Sequence, residues 1–382
     1  MVMMKKRVVL LRSNPIAPDP PVEKVADTLL SQGYEVTAVG WDRGSDTGER
    51  TETLKLEHGE ARAVRFGIPA LFNAGFKKNL IPLARFEMKL YNWMKQHRNE
   101  YDIIHSFDFD TGFAADKIAA KYNKALIYHI LDFYIDSHNI PGTSLRAKVK
   151  NAEISVINDA FATIICTDKR REQIAESSPK RLEVIHNTPK AFEKIDNSFE
   201  AVAADGKFKI VYVGILGSSR FLREIMRFVE SDERFEFHIG GFGSMESEIE
   251  KAAKKCSRII YYGKLPYEKT LALEKACDIM TAIYDPSVPN HRYAAPNKFY
   301  ESLMLGKPVV MARNTGFDEI IEKNNIGCLI EYSEKGLAEG LNALVARREE
   351  WDAMGERMKR LYNEQYSWAE MEKRIIDLYS EI

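Results

Sequence analysis

Two stretches of this chain place cations and a carboxylate where backbone amides should be free. Tyr293 to Pro308 reads YAAPNKFYESLMLGKP. Pro296 suits the first turn of a helix, where its missing N–H costs nothing, and Gly306 followed by Pro308 is a stop signal, so the spacing predicts a helix over Asn297–Leu305. Lys298 and Glu301 stand three apart on one face of it, with Phe299 and Leu303 turned to a core. A helix start that offers unpaired amides, the positive dipole end and a lysine suits a phosphate, and a carboxylate one turn further in suits sugar hydroxyls. On their own these residues also read as a helix with a solvated Lys/Glu pair.

Upstream, the apolar run Phe208–Val213 leads into Gly214-Ile215-Leu216-Gly217-Ser218-Ser219-Arg220-Phe221-Leu222-Arg223. Gly214 and Gly217 permit close approach of backbone to a ligand, and Arg220 or Arg223 offers a planar, permanently charged fork that matches a diphosphate. A tight strand-to-helix turn with a solvated arginine is the plainer reading of the same loop.

The elements that must position these groups follow from pattern. The chain has 382 residues, 45% of them hydrophobic and 29% charged, with a formal net charge of −1. That describes a globular protein of two or three domains and gives nucleic acid no electrostatic hold. Cys166, Cys256, Cys277 and Cys328 lack the spacing of a zinc site and read as reduced core residues in a cytoplasmic protein. The first apolar segment ends at Arg12, too short for a signal peptide, and no run approaches the roughly 18 apolar residues of a membrane span.

Strands are expected at Arg7–Leu11, Glu35–Gly40, Ala61–Phe66, Asp102–Ser106, Ala125–His129 and Thr163–Thr167, with helical patterns between most of them. The stretch Thr188 to Lys207 is polar and reads as a linker. A second series follows at Phe208–Val213, Phe235–Ile239, Arg258–Tyr262, Ile279–Ile283, Pro308–Ala312 and Gly327–Ile330. Strands alternating with helices predict two doubly wound α/β domains with parallel sheets, 1–190 and 205–365, and ligands outside the carboxyl ends of the strands. The stripe Met371, Ile375, Ile376 and Tyr379 in Trp368–Ile382 must cover an apolar surface.

Taken together, Gly214 to Arg223, Gly240-Gly241-Phe242-Gly243, Tyr262-Gly263-Lys264-Leu265-Pro266, Asp278-Ile279-Met280, Pro296-Asn297-Lys298, Glu301 and Gly306-Lys307-Pro308 resemble the donor-binding domain of GT-B fold glycosyltransferases, most closely the retaining family 4. Asp19-Pro20-Pro21-Val22, Gly33-Tyr34-Glu35-Val36, Trp41-Asp42-Arg43, Asp102 to His105, Tyr128 with Asp132, and Val184 to Asn187 are more loosely similar to a branch that builds bacterial surface polysaccharides. The resemblance implies two Rossmann-like domains with an interdomain cleft, and a C-terminal helix, 366–382, that crosses back to the first domain. It implies a nucleotide-diphosphate sugar as co-substrate, no further cofactor and no metal, and a glycan or lipid-linked acceptor, with retention of configuration.

Carried over, Arg220 and Lys298 hold the leaving diphosphate, Glu301 contacts the donor ribose, and backbone near Lys264, Leu265 and Pro266 meets the base. Gly214, Gly217 and Asn297 line the donor site, and His129 and Asp132 join Arg220 and Lys298 as catalytic candidates. This sequence departs from the family's pattern in three places. Tyr293 stands where the family has the first glutamate of a spaced pair, Ser13–Pro21 replaces an N-terminal Gly-Gly loop, and Leu131 replaces a histidine before Asp132.

Asp108-Phe109-Asp110 spells the Asp-x-Asp of metal-dependent transferases of another fold and reads better as a strand-end loop or acceptor contact. His105 is a weaker cleft-facing candidate than His129, while His58, His97, His138, His238 and His291 read as surface or turn residues. Within 72–98, Lys77, Lys78, Arg85, Lys89, Lys95 and Arg98 interleave with Phe72, Phe76, Phe86, Tyr91 and Trp93. That is either a solvated face over a core stripe of Leu83, Phe86, Leu90 and Trp93, or a peripheral contact with the inner face of the cell membrane. Two other functions stay open: a nucleotide-sugar 2-epimerase of the same fold, and a silent nucleotide-sugar-binding scaffold in polysaccharide assembly.

Overall fold

The computed structural model describes residues 6–71, 76–192, 195–199, 202 and 206–382. The side chains of Phe72, Phe76 and Lys77, part of the basic segment, lie outside the described residues. The chain divides into two compact units, Met1–His186 with Met371–Ile382, and Asn187–Glu370.

The first unit is built on eight strands: β1 (Arg7–Arg12), β2 (Glu35–Asp42), β3 (Gly48–Leu56), β4 (Gly59–Gly67), β5 (Ile103–Phe107), β6 (Ala125–Ile130), β7 (Ala162–Ile165) and β8 (Leu182–Val184). They lie in the order β3-β4-β2-β1-β5-β6-β7-β8. Every pair is parallel except β3 with β4. Val8, Val9, Leu10 and Leu11 of β1 are all buried, as a central strand covered on both faces requires. β3 is the antiparallel edge, GERTETLKL, and its polar residues hide it from an apolar-run reading.

The order turns between β1 and β5, and the loops there are stitched together by charge. Arg12, at the end of β1, donates to Asp19 at 2.9 Å and to Asp108, which follows β5. The other oxygen of Asp108 accepts from the Leu131 amide at 2.8 Å and the Asp132 amide at 3.0 Å, beyond β6. Burial works against the Arg12 charge, but Asp108 and Asp19 outweigh it and hold its pKa above the usual value.

Met371, Ile375, Leu378 and Tyr379 of the C-terminal residues are buried within this unit. The Tyr379 hydroxyl meets His105 Nδ1 at 2.8 Å, and its ring packs edge-on to Tyr34.

Glu153, on the helix Thr143–Asp159, is buried and accepts from the Tyr128 hydroxyl at 2.8 Å and the Tyr134 amide at 3.1 Å. Burial pushes its carboxyl up from 4.5 to about 8. Between those values the folded chain binds more protons than the unfolded one, so this group's contribution to stability falls as pH rises. Glu153→Gln is expected to gain on the wild type from about pH 5 to about pH 8, by at most about 1.4 kcal/mol per pH unit. Thermal unfolding across that range checks it; a constant difference between the two proteins would contradict the assignment.

The second unit carries β9 (Phe208–Ile215), β10 (Phe235–Phe242), β11 (Ile259–Tyr261), β12 (Ile279–Thr281), β13 (Val309–Ala312) and β14 (Gly327–Ile330), in the order β11-β10-β9-β12-β13-β14. All its pairs are parallel. This is a doubly wound sheet whose order reverses between β9 and β12, the place where such sheets take ligands. The helix Asn297–Leu305 forms where expected and ends on Gly306 at φ 67°, a left-handed cap that glycine adopts without strain.

Candidate functional site

The second unit gathers its cations around Tyr212. At the carboxyl end of β9, a methyl group on Gly214 would lie 2.8 Å from Lys298 Nζ. The glycine therefore makes room for the ammonium. Lys298 Nζ sits 4.7 Å from the centre of the Tyr212 ring, and the Tyr212 hydroxyl donates to the Ile215 carbonyl at 2.8 Å. Burial raises the Tyr212 hydroxyl pKa, and the charges of both Lys298 and Arg220 act against it. The two predicted diphosphate cations thus flank one tyrosine that sequence reasoning passed over.

Arg220 is held from two sides by the loop after β12. Its guanidinium lies over the Tyr284 ring at 3.9 Å, and Nη1 donates to His291 Nε2 at 3.3 Å. His291 Nδ1 donates to the Asp285 carbonyl at 2.8 Å, so Nε2 is the nitrogen that accepts from Arg220. His291 is therefore an Arg220 support and not a mere turn residue. His238 likewise departs from expectation, being buried on β10 and bonded to the Tyr262 hydroxyl at 2.8 Å.

Glu301 lies one turn beyond Lys298, 3% exposed, and accepts from the Tyr267 hydroxyl at 3.0 Å. Burial raises its pKa, against the pull of Lys298 and the Tyr267 hydrogen bond. Burial also opposes the Lys298 charge, but Tyr212, Glu301 and Glu274 outweigh it and hold Lys298 above its usual value. Asn297 is exposed at the helix start and Gly217 has open space around it. Lys264 Nζ lies 5.1 Å over the exposed Phe242 ring, Leu265 packs against Gly240, and Pro266 opens the helix Tyr267–Ala276. Arg223 is committed elsewhere, in a two-pronged pair with Glu248 at 2.6 and 2.7 Å.

In the first unit, His129 is 3% exposed, with Nδ1 3.2 Å from His105 Nε2 and Nε2 unpartnered. Burial, then the charges of His105, Arg12 and Lys24, keep it neutral. Asp132 is exposed at the carboxyl end of β6 and accepts from Arg170 at 3.2 Å. Asp108 of the Asp-x-Asp stretch has its carboxylate oxygens taken by Arg12 and two amides. Among the described residues, Asp27, Glu57 and His58 are close enough to share a metal ion, but Asp27 already meets the His58 amide and ring.

Two family descriptions match the chain: Glycosyltransferase Family 4 over residues 22–188 and Glycosyl transferases group 1 over residues 207–347. No curated protein matches it. Similar solved structures include sucrose-phosphate synthase from Thermosynechococcus elongatus, with TM-score 0.79, 13% identity and 99% of each chain covered. Another is Anabaena HepE in complex with UDP, with TM-score 0.69, 13% identity and 99% of this chain against 100% of that one covered. The E. coli trehalose-6-phosphate protein bound with UDP-2-fluoro glucose has TM-score 0.72 and 11% identity, and 98% of this chain and 99% of that one are covered. Two family matches that together span most of the sequence, on two doubly wound sheets, make this chain a GT-B glycosyltransferase of the family 4 type.

Proposed function

We propose that the chain moves a sugar from a nucleoside-diphosphate sugar, with retention and without a metal, to a glycan or lipid-linked acceptor. The observation that carries this reading is the pair of cations, Lys298 against Gly214 and Arg220 on Tyr284, flanking Tyr212 where the strand order of the second sheet reverses. Breaking a glycosyl–phosphate bond builds negative charge on the leaving oxygens, and fixed cations with helix-start amides stabilise it. Glu301 is assigned to the ribose, backbone around Lys264–Pro266 to the base, and Asp132 and His129 to the acceptor side. Uridine is the favoured base, because HepE and the E. coli protein are bound with UDP and a UDP-sugar.

The acceptor reading is supported by the helix Phe76–Gln96. Lys78, Ile81, Arg85 and Met88 share one face, Ile81 and Met88 being 68% and 63% exposed. Cations beside exposed apolar residues suit an anionic membrane surface. Among the described residues no helix is long and apolar enough to cross a membrane.

Incubation with UDP-sugars tests the proposal by the release of UDP. Slow release without acceptor, rising at least tenfold when a glycan or lipid-linked acceptor is supplied, is the expected result. Tight binding with no release under any condition would refute transfer and favour the silent scaffold. Recovery of an epimerised sugar would favour the 2-epimerase.

A further inference from the structure

Glu274 is the anomaly of the second unit. It lies on the helix Tyr267–Ala276, is 1% exposed, and neither of its carboxyl oxygens has a hydrogen-bond partner. A lone ionised carboxylate in such a place costs far more than folding tolerates, so the group must share a charge or keep its proton. Its position says with whom. Glu274 stands seven residues after Tyr267, two helical turns along the same face, and Tyr267 donates to Glu301.

The groups acting on Glu274 are Glu301 and Lys298, both on the helix Asn297–Leu305. Tyr267 on its own helix and the buried Cys277 just past the end of that helix feel its charge, and Tyr362 acts on Tyr267. Two buried carboxyls and one ammonium thus act on one another. Glu301 has a hydrogen bond from Tyr267 that favours its ionised form, and Glu274 has none.

We propose that Glu274 is a positioning residue that forms an acid pair with Glu301 holding one proton between them, and that donor binding draws that proton onto Glu274. The inference rests on the donor reading above. A diphosphate arriving at Lys298 cancels the cation that lets both carboxyls ionise, and ribose hydroxyls donating to Glu301 favour its charged form. The proton then has one place to sit, Glu274, where a neutral acid suits the buried site. Burial, followed by the negative charge of Glu301, already holds the Glu274 pKa well above the ordinary carboxyl value.

The test is calorimetric titration of UDP-glucose into the wild type and Glu274→Gln, in pairs of buffers that differ in ionisation heat, from about pH 6 to about pH 9. While the free pair still holds its proton, binding only moves that proton and no net uptake is expected. At pH values where the free pair has lost it, the wild type should take up as much as one proton per donor bound, with affinity falling by up to about tenfold per pH unit. Glu274→Gln, a neutral amide of the same shape, is expected to bind with no proton uptake and a flat pH profile. Binding with the same proton uptake and pH profile in both proteins would overturn the pair while leaving the donor site standing. No binding by either protein at any pH would overturn the donor reading and this inference with it.

A ligand-free measurement stands independently. The wild type is expected to lose stability relative to Glu274→Gln as pH rises, because the raised carboxyl pKa makes the folded state bind more protons. A variant that is less stable than the wild type by a constant margin at every pH would overturn the buried-proton assignment.

Discussion

Lys298→Ala is expected to slow sugar transfer about a hundred- to a thousandfold, a loss of about 3–4 kcal/mol of transition-state stabilisation, in a protein that still folds. The ammonium sits against Gly214 and the Tyr212 ring, so its removal takes away a fixed charge without opening an apolar core. The buried carboxyls of Glu301 and Glu274 lose a counter-charge and answer by holding a proton more tightly. Lys298→Arg is not conservative here. A planar fork needs more room than the gap that Gly214 leaves for a single ammonium. Steady-state rates of UDP release with acceptor, beside a thermal unfolding curve for each variant, check both parts. A variant with wild-type rates would remove Lys298 from the reaction.

Asp108→Ala is expected to cost about 3 kcal/mol of stability, the low end of the penalty for breaking a buried pair, since the Arg12 and Asp108 side chains keep 12% and 16% exposure. Asp108 satisfies Arg12 and the amides of Leu131 and Asp132, so alanine leaves one guanidinium with Asp19 alone and two amides without an acceptor. Its backbone sits at φ 59° and ψ 170°, a region strained for any side chain, so that strain is common to the wild type and to both variants. Asp108→Asn keeps one acceptor for the two amides, and so should lose less than half as much. Thermal unfolding compares them; an alanine variant melting within about a degree of the wild type would show that the stitch between β1, β5 and β6 contributes little.

The Asp-x-Asp spelling shows what residue types alone can and cannot settle. Its first carboxylate is a structural clasp, and its partner Arg12 lies almost a hundred positions away. By contrast, the helix Asn297–Leu305 was legible to both ends, because proline at its start and glycine past its end act locally. The strands of both sheets were legible as apolar runs wherever both faces are covered. β3 was not, because an edge strand with an exposed face carries polar residues, and β8 has only three residues to show.

Within the candidate site, Gly214, Arg220, Lys298 and Glu301 can be singled out by type and spacing, and the structure brings Gly214, Arg220 and Lys298 together around Tyr212. Tyr212, Tyr284 and His291 cannot be singled out that way. They matter because the sheet order sets the loop after β12 beside the loop after β9, a juxtaposition no local pattern encodes. Glu274 was hidden in an ordinary helical run, LALEKA, since its burial arises only when that helix docks beside Asn297–Leu305.

The most direct measurement is calorimetric titration of UDP, uridine, GDP and ADP into the wild type and Lys298→Ala. Saturable binding of one nucleoside diphosphate, lost or greatly weakened when its phosphates are absent and weakened by at least tenfold in the variant, is the predicted result. Equal binding by both proteins, or no binding of any nucleoside diphosphate to a folded wild type, would contradict the placement of the donor diphosphate on Lys298.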